Sequence, residues 1–553
     1  MTKLRLVRGC VKATAAIFLL AGGAGATEYR GRVVDSRTGA PLASRVYLQA
    51  PDGDWLFVDA ADREGRATPY REQWVPMPGS IDRHTTVTAH EFRIELPPGD
   101  YRLAVERGKE YLPLERVVRM GTEPLAEILP LERWADMASR GWYSGETHVH
   151  RRLEELPDVM LAEDLNVAFP VTYWTTTADE APTTAPSTLR PEPDPLGPRR
   201  DPGPDPIAVD ATHVMVPRNT EYEIFSVGGR RHVLGALFLL NHKSVFTEHA
   251  PPVAAIAEKA HRERALLDLD KHNWPWSFML VPIAGVDLFE LANNSVWRAP
   301  FGFRTGMVPP PPWMEVEQDS GGMTERGWLD FGFQTYYALL NCGFPLRPTA
   351  GTASGVHPVP LGHGRVYVHL GGPFRVVDWI AGLDAGRSFV TTGPMLPTTI
   401  DGRLPGHRFR HPDKAARTFR VAGEALSARP IERIEVVVDG EVLRRVGPAN
   451  NPGAGGGFAS PFAEDVTVEG SAWIAVRCFE SQPDGRVRFA HTGPFHVEMA
   501  GEPVRPRRRE VDWFIARMRE EIERNTGVLD EASLAEYTRA LQIYERIAER
   551  ARD

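Results

Sequence analysis

Trp142-Tyr143-Ser144-Gly145-Glu146-Thr147-His148-Val149-His150 is the stretch on which the reading of this chain turns. Its second half alternates with the period of a β-strand, and residues two apart on a strand share a face. His148 and His150 therefore point to the same side. Neutral imidazole is the commonest side-chain ligand for borderline divalent metals, so the pair is half of a metal site. Two histidines on a half-buried strand are the plain alternative.

Further along, Leu266-Leu267-Asp268-Leu269-Asp270-Lys271-His272-Asn273-Trp274-Pro275-Trp276 runs from a short buried-strand pattern straight into a histidine and an aromatic turn. Catalytic residues gather at such carboxyl-terminal strand ends in α/β barrels. Asp270 lies two residues before His272 and, on one strand face with it, would be a ligand or would orient one. Glu223, His232, His242 and His357 follow or precede other apolar runs.

The ordered set resembles the PHP-type metal-dependent hydrolases, in the CehA/McbA-like branch named for carbaryl hydrolases. The family's opening aromatic, glycine and HxH strand are matched by Trp142, Gly145, His148 and His150. Its glutamate ahead of a Gly-His-(apolar)-Leu-Gly strand is similar to Glu223 before Arg231-His232-Val233-Leu234-Gly235, although Glu221 could carry the same match. Asp270-Lys271-His272 and Val286-Asp287-Leu288-Phe289-Glu290-Leu291-Ala292-Asn293 resemble the next two motifs, and Gly351-Thr352-Ala353-Ser354-Gly355 the last, with His357 two places late. The resemblance covers about residues 140–400.

It implies a PHP-like, distorted TIM-type β/α barrel holding a divalent metal (zinc, manganese or iron). The implied ligands are His148, His150, Glu223, His232, His272 and His357, with His357 and Asp270 in catalytic roles. The family's Thr-Asp-His is replaced by Thr172-Tyr173-Trp174, and its closing Asp and His by Ala353 and Gly355. The reduced set implies one metal rather than a cluster.

The chain has 553 residues, too many for one core, and a net charge of −9, which gives no basic surface for nucleic acid. Lys3, Arg5, Arg8 and Lys12, the apolar run Ala13–Gly22 and Ala24-Gly25-Ala26 have the layout of a secretory signal peptide over 1–26, so export to the periplasm or the exterior is expected. Cys342 and Cys478 fall in different expected domains, which argues against a disulfide. No later run is long enough for a membrane helix.

Around the barrel, alternating strands with Gly and Pro turns predict β-sandwiches over 27–136 and 401–500. The first resembles the carboxypeptidase regulatory-like module. The central region, 137–400, alternates strands with helices and carries a Pro- and Thr-rich insertion over 178–206, placed as an excursion near the site. Helical spacing over 505–553 predicts a helical hairpin. The expected class is thus multidomain α/β plus all-β.

The expected function is hydrolysis of a small ester, amide or carbamate substrate. Metal-activated water would attack the carbonyl, and His357 would protonate the leaving group. Two rivals stand beside it. In the first the site is a phosphoesterase served by Arg230, Arg231 and Lys243; in the second the protein is a non-catalytic scaffold with a degenerate metal site. Trp174, Trp274, Trp276 and Trp297 would wall an apolar pocket or belong to the core.

Overall fold

The computed structural model describes residues 25–73, 81–184, 200–294, 302–453, 455–482 and 486–553. The expected signal segment, Trp297 and the middle of the expected insertion (185–199) lie outside the described residues. The architecture is mixed α/β and mostly sheet, with several sheets and seven α-helices among the described residues. None of these helices is long and apolar enough to cross a membrane.

In the first module Thr27–Asp35 pairs in parallel with Leu125–Leu131 and antiparallel with Phe92–Leu96. A second sheet runs in the order Ala67–Gln73, Ile81–Val87, Ser44–Gln49, Gly99–Glu106, Leu114–Met120. Tyr29, Phe92 and Leu129 from one sheet and Val46, Leu103 and Val105 from the other share one core. Gly31 is required where Thr27–Asp35 crosses Phe92, because a Cβ there would meet the ring at 2.2 Å. The module is joined to the next by buried charges. Arg45 meets Glu163 at 2.8 Å, and Arg151, the residue after His150, stacks on Tyr70 at 4.0 Å and donates to Glu72 at 3.1 Å.

The central region contains β1 (Trp142–Val149), α1 (Leu156–Glu163), β2 (Val167–Pro170), β3 (Tyr173–Thr177), β4 (Val214–Met215), β5 (Thr220–Val227) and β6 (Arg230–Leu240). It continues with α2 (Ala254–Arg262), β7 (Leu266–Leu269), α3 (Ser277–Leu280), β8 (Leu288–Ala292), α4 (Glu325–Asn341), β9 (Arg347–Ser354), β10 (Arg365–His369), α5 (Val376–Asp384) and β11 (Ser388–Thr391). Pairing passes in parallel from β1 to β2, and from the β2 and β3 segment to β4 and β5. It continues antiparallel to β6 and β7, then parallel to β8 and β9, and β9 pairs with β1 at His148↔Gly351. The β5–β6 link is a hairpin without a helix. Its two-residue turn, Gly228-Gly229, has φ of 56° and 70°, the left-handed pair that a tight hairpin with right-twisted strands requires.

Helix α4 starts at Glu325, where the Thr324 side chain caps it by accepting from the Gly327 N–H. β11 pairs with β10 on one side and with Val487–Thr492 on the other, so the sheet runs continuously across residue 400 into the C-terminal β-region. There it faces a second sheet built on Arg417–Ser427 and Phe458–Val468. Trp142, the first residue of β1, is buried in their shared core with Val421, Ile434 and Phe389.

The tail forms two helices, α6 (Arg508–Asn525) and α7 (Glu531–Ala548), that pack on each other and on the central region. The Glu536 carboxylate accepts from the N–H groups of Val253 and Ala254 at the start of α2, and the Tyr544 hydroxyl donates to the Phe278 carbonyl at 2.8 Å.

Candidate metal centre

His148 and His150 stand where β1 runs out, buried, on the same side as expected. Their Nε2 atoms face each other at 3.0 Å. His150 Nε2 is 3.3 Å from Glu221 Oε2, while His148 Nδ1 is 2.9 Å from Glu290 Oε1 and 3.6 Å from Asp270 Oδ1. Two groups of side chains therefore converge closely enough to hold a cation: His148, His150 and Glu221, and His148, Asp270 and Glu290. Two ligand atoms each about 2.0–2.1 Å from one zinc lie roughly 3 Å apart when their angle at the ion is near a right angle, so these separations fit donors that share an ion.

The electrostatics point the same way. Glu290 is buried, and neither of its carboxylate oxygens has a hydrogen-bond partner; Glu221 Oε2 has none either. Such a group is costly unless it is protonated or meets a cation. Burial pushes both carboxyls well above the usual carboxylate range, reinforced by Glu223 and Asp270 around Glu221, and by Asp270 and Asp268 around Glu290. Burial likewise raises Glu223 and Asp268 to about 8 each. For the imidazole of His148 the sign reverses, and burial takes it down to about 3 with Lys271 adding to the shift. It is neutral at ordinary pH and keeps a lone pair for a metal.

Among the described residues the one ammonium acting on this set is buried Lys271, whose Nζ donates to both oxygens of Asp270 at 2.8 and 2.5 Å and lies 4.9 Å from the centre of the Trp274 ring. Burial opposes its charge, but Asp270, Glu290 and Glu223 more than offset this and raise its pKa.

Backbone packing holds the groups in place. Gly351 of β9 sits against both, since a Cβ there would fall 2.3 Å from His148 Cβ and 2.5 Å from Glu290 Oε1. Glu146 ties β1 to β9 by accepting from the N–H groups of Thr352 at 2.7 Å and Gly362 at 2.5 Å. Thr147 donates to Asp268 Oδ2 at 2.8 Å. Phe238 packs on His148 and Trp174 on His150, with ring centres 4.4 and 4.5 Å apart. Thr183 bridges to Trp174, so the described start of the expected insertion lies against the strand whose tryptophan packs on His150.

Several sequence expectations need correction. The carboxylate beside the two histidines is Glu221 rather than Glu223. Both lie on one face of β5, but Glu221 sits opposite Phe238, the ring that packs on His148, whereas Glu223 is a pair further along and half-buried.

His272 joins neither group. β7 ends at Leu269, so the alternation that would align 270 with 272 stops, and the imidazole is instead packed between Trp328 and Phe331 at 4.6 and 4.7 Å. His357 is half-buried near enough to feel Lys271, His148 and Asp270, and burial takes it down to about 3, but it is in neither ligand group.

His232 belongs to the packing of the tail. It lies four residues before Ala236, which opposes Glu223, and its Nε2 meets Asn525 Oδ1 of α6 at 2.7 Å. His242 is structural, accepting from Thr220 and donating from Nδ1 to the Ser244 carbonyl. Asp270, expected in a catalytic role, is instead a member of the second group and the partner of Lys271. Arg230 and Arg231 lie exposed at the hairpin turn, and Lys243 is exposed after β6. Trp276 is core.

Glu290 and Lys271 carry the site without having been singled out from the sequence. For Glu290 the signals were its place in the quoted stretch Val286–Asn293 and a charge inside a buried apolar strand, Leu288-Phe289-Glu290-Leu291-Ala292. Comparison with protein-family models, with curated proteins and with solved structures finds no match to the chain.

Proposed function

We propose that the protein is an exported metal-dependent hydrolase of a small ester, amide or carbamate, of the PHP type that its motifs resemble. The observation that carries this reading is the pair of buried carboxylates, Glu221 and Glu290, of which Glu221 Oε2 and both Glu290 oxygens lack hydrogen bonds, facing His148 and His150. His148, His150 and Glu221 would hold the ion. The parallel pairings of β1 with β2, of β7 with β8, of β8 with β9 and of β9 with β1 are of the kind expected of that type, while β5, β6 and β7 pair antiparallel.

A divalent ion there supplies Lewis acidity and brings the pKa of a water toward neutrality. The chain's own groups do the rest. Glu223, protonated up to about pH 8 by burial, stands ready to give a proton to a leaving group, a role the sequence reading assigned to His357. Phe238 and Trp174 make the apolar wall that keeps bulk water from the imidazoles. A phosphoesterase reading has less support, because Arg230, Arg231 and Lys243 are on exposed turns and Lys271 is already engaged by Asp270.

The test is elemental analysis of the purified protein together with turnover of aryl esters, carbamates and phosphate monoesters, before and after chelation. Bound zinc, manganese or iron, lost in His148→Ala, and carboxylic-ester or carbamate turnover restored by adding the metal back are expected. A protein that holds no metal and takes none up overturns the proposal.

A further inference from the structure

We infer that Lys271 is the resident cation of the second ligand group, and that its ammonium limits this centre to one metal ion. The inference rests on the metal reading just given and concerns how many ions the site accepts.

His148 is common to both groups, with Nε2 turned to His150 and Nδ1 turned to Glu290. A neutral imidazole has one lone pair to give, since its other nitrogen carries the proton. With Nε2 engaged beside His150 and Glu221, Nδ1 keeps its hydrogen and has no lone pair for a second ion, 2.9 Å from Glu290 Oε1. What then remains for a second cation is the pair Asp270 and Glu290. A cation is already there: Lys271 is buried, its Nζ meets both Asp270 oxygens, and Trp274 stands 4.9 Å behind it.

Charge count supports the same assignment. Lys271 neutralises Asp270, and a divalent ion held by His148, His150 and Glu221 would stand beside Glu290. A second divalent ion would add two positive charges to a buried site already in balance, next to an ammonium.

The experiment is a Co²⁺ titration of the metal-free, full-length protein followed by visible absorbance, with bound metal counted by elemental analysis. Wild type is expected to saturate at one equivalent per chain. Lys271→Met, which keeps the side-chain length and removes the charge, exposes Asp270 and Glu290 and is expected to take up a second, weaker equivalent. Adding Asp270→Asn to it returns the count to one. Two equivalents in the wild type, or one in a folded Lys271→Met protein, overturn the inference. The wild-type count decides by itself if the Met variant does not fold. No uptake by the wild type is a different failure, that of the metal centre as a whole.

Discussion

Gly351→Ala is the sharpest perturbation of this centre, because it adds a single methyl group at the point where β1, β8 and β9 meet. The new Cβ would lie 2.3 Å from His148 Cβ, 2.5 Å from Glu290 Oε1 and 2.6 Å from Glu290 Cδ. Carbon atoms in contact rest about 3.5–4.0 Å apart, so His148 and Glu290 must together retreat by more than roughly 1 Å. Functional constellations tolerate about 0.5 Å. Overpacking of this kind costs about 1–3 kcal/mol, or roughly 2–12 °C in Tm for a domain of this size. Displacing the support of a metal ligand costs about 10–100-fold in affinity.

The assay is calorimetric titration of the metal-free variant with Zn²⁺, paired with thermal melting in chelator. Gly364→Ala is the control, since its Cβ would approach nothing closer than 3.4 Å, at Ala292 Cβ. A Gly351→Ala protein that binds zinc like wild type and melts within about 1 °C of it, against the shift expected from overpacking, would show that these strands do not hold a pre-shaped site.

Glu221→Gln is expected to weaken metal binding about 10–100-fold while Glu223→Gln leaves the metal content intact and slows turnover; equal losses of metal would remove the distinction between the two carboxylates. In the metal-free protein, Asp268 titrates near 8 folded against an ordinary 3.8, so its contribution to stability is full at low pH and is lost as pH rises toward 8. Between about pH 7 and 8, where histidines are neutral in both states, stability should fall by up to about 1.4 kcal/mol per pH unit from this one group, and the slope should fade above that. Melting curves in chelator should show that slope, and Asp268→Asn should reduce it; equal slopes in the two proteins count against the buried-acid account. His232→Ala is expected to leave metal uptake unchanged and to cost about 1 kcal/mol by releasing Asn525, read as a lower melting temperature. Loss of metal from that variant would return His232 to the ligand set.

Much of this molecule was legible from local pattern. Period two fixes which side of β1 carries His148 and His150, because that alternation depends only on the pleat of the strand itself. The strand Leu266–Leu269 falls where its short apolar run places it, and the two tail helices follow from 3.6-residue spacing. Where a local pattern ended early, the reading failed with it: His272 was assigned by continuing an alternation past the last residue of β7.

What the tertiary structure alone decided is which charges meet. Glu221 and Glu223 are equivalent by local pattern, and only the β5–β6 register puts the former opposite Phe238 and beside His150. Glu290 reaches His148 because β8 and β1 lie on either side of β9, and His232 is drawn to the tail because α6 docks there. Sequence by itself determined the imidazole pair, its strand and the order of elements, since these depend on neighbours in the chain. The carboxylates and the lysine that complete the centre are brought in by pairing between strands, whose partners and register are set by packing that the local pattern does not contain.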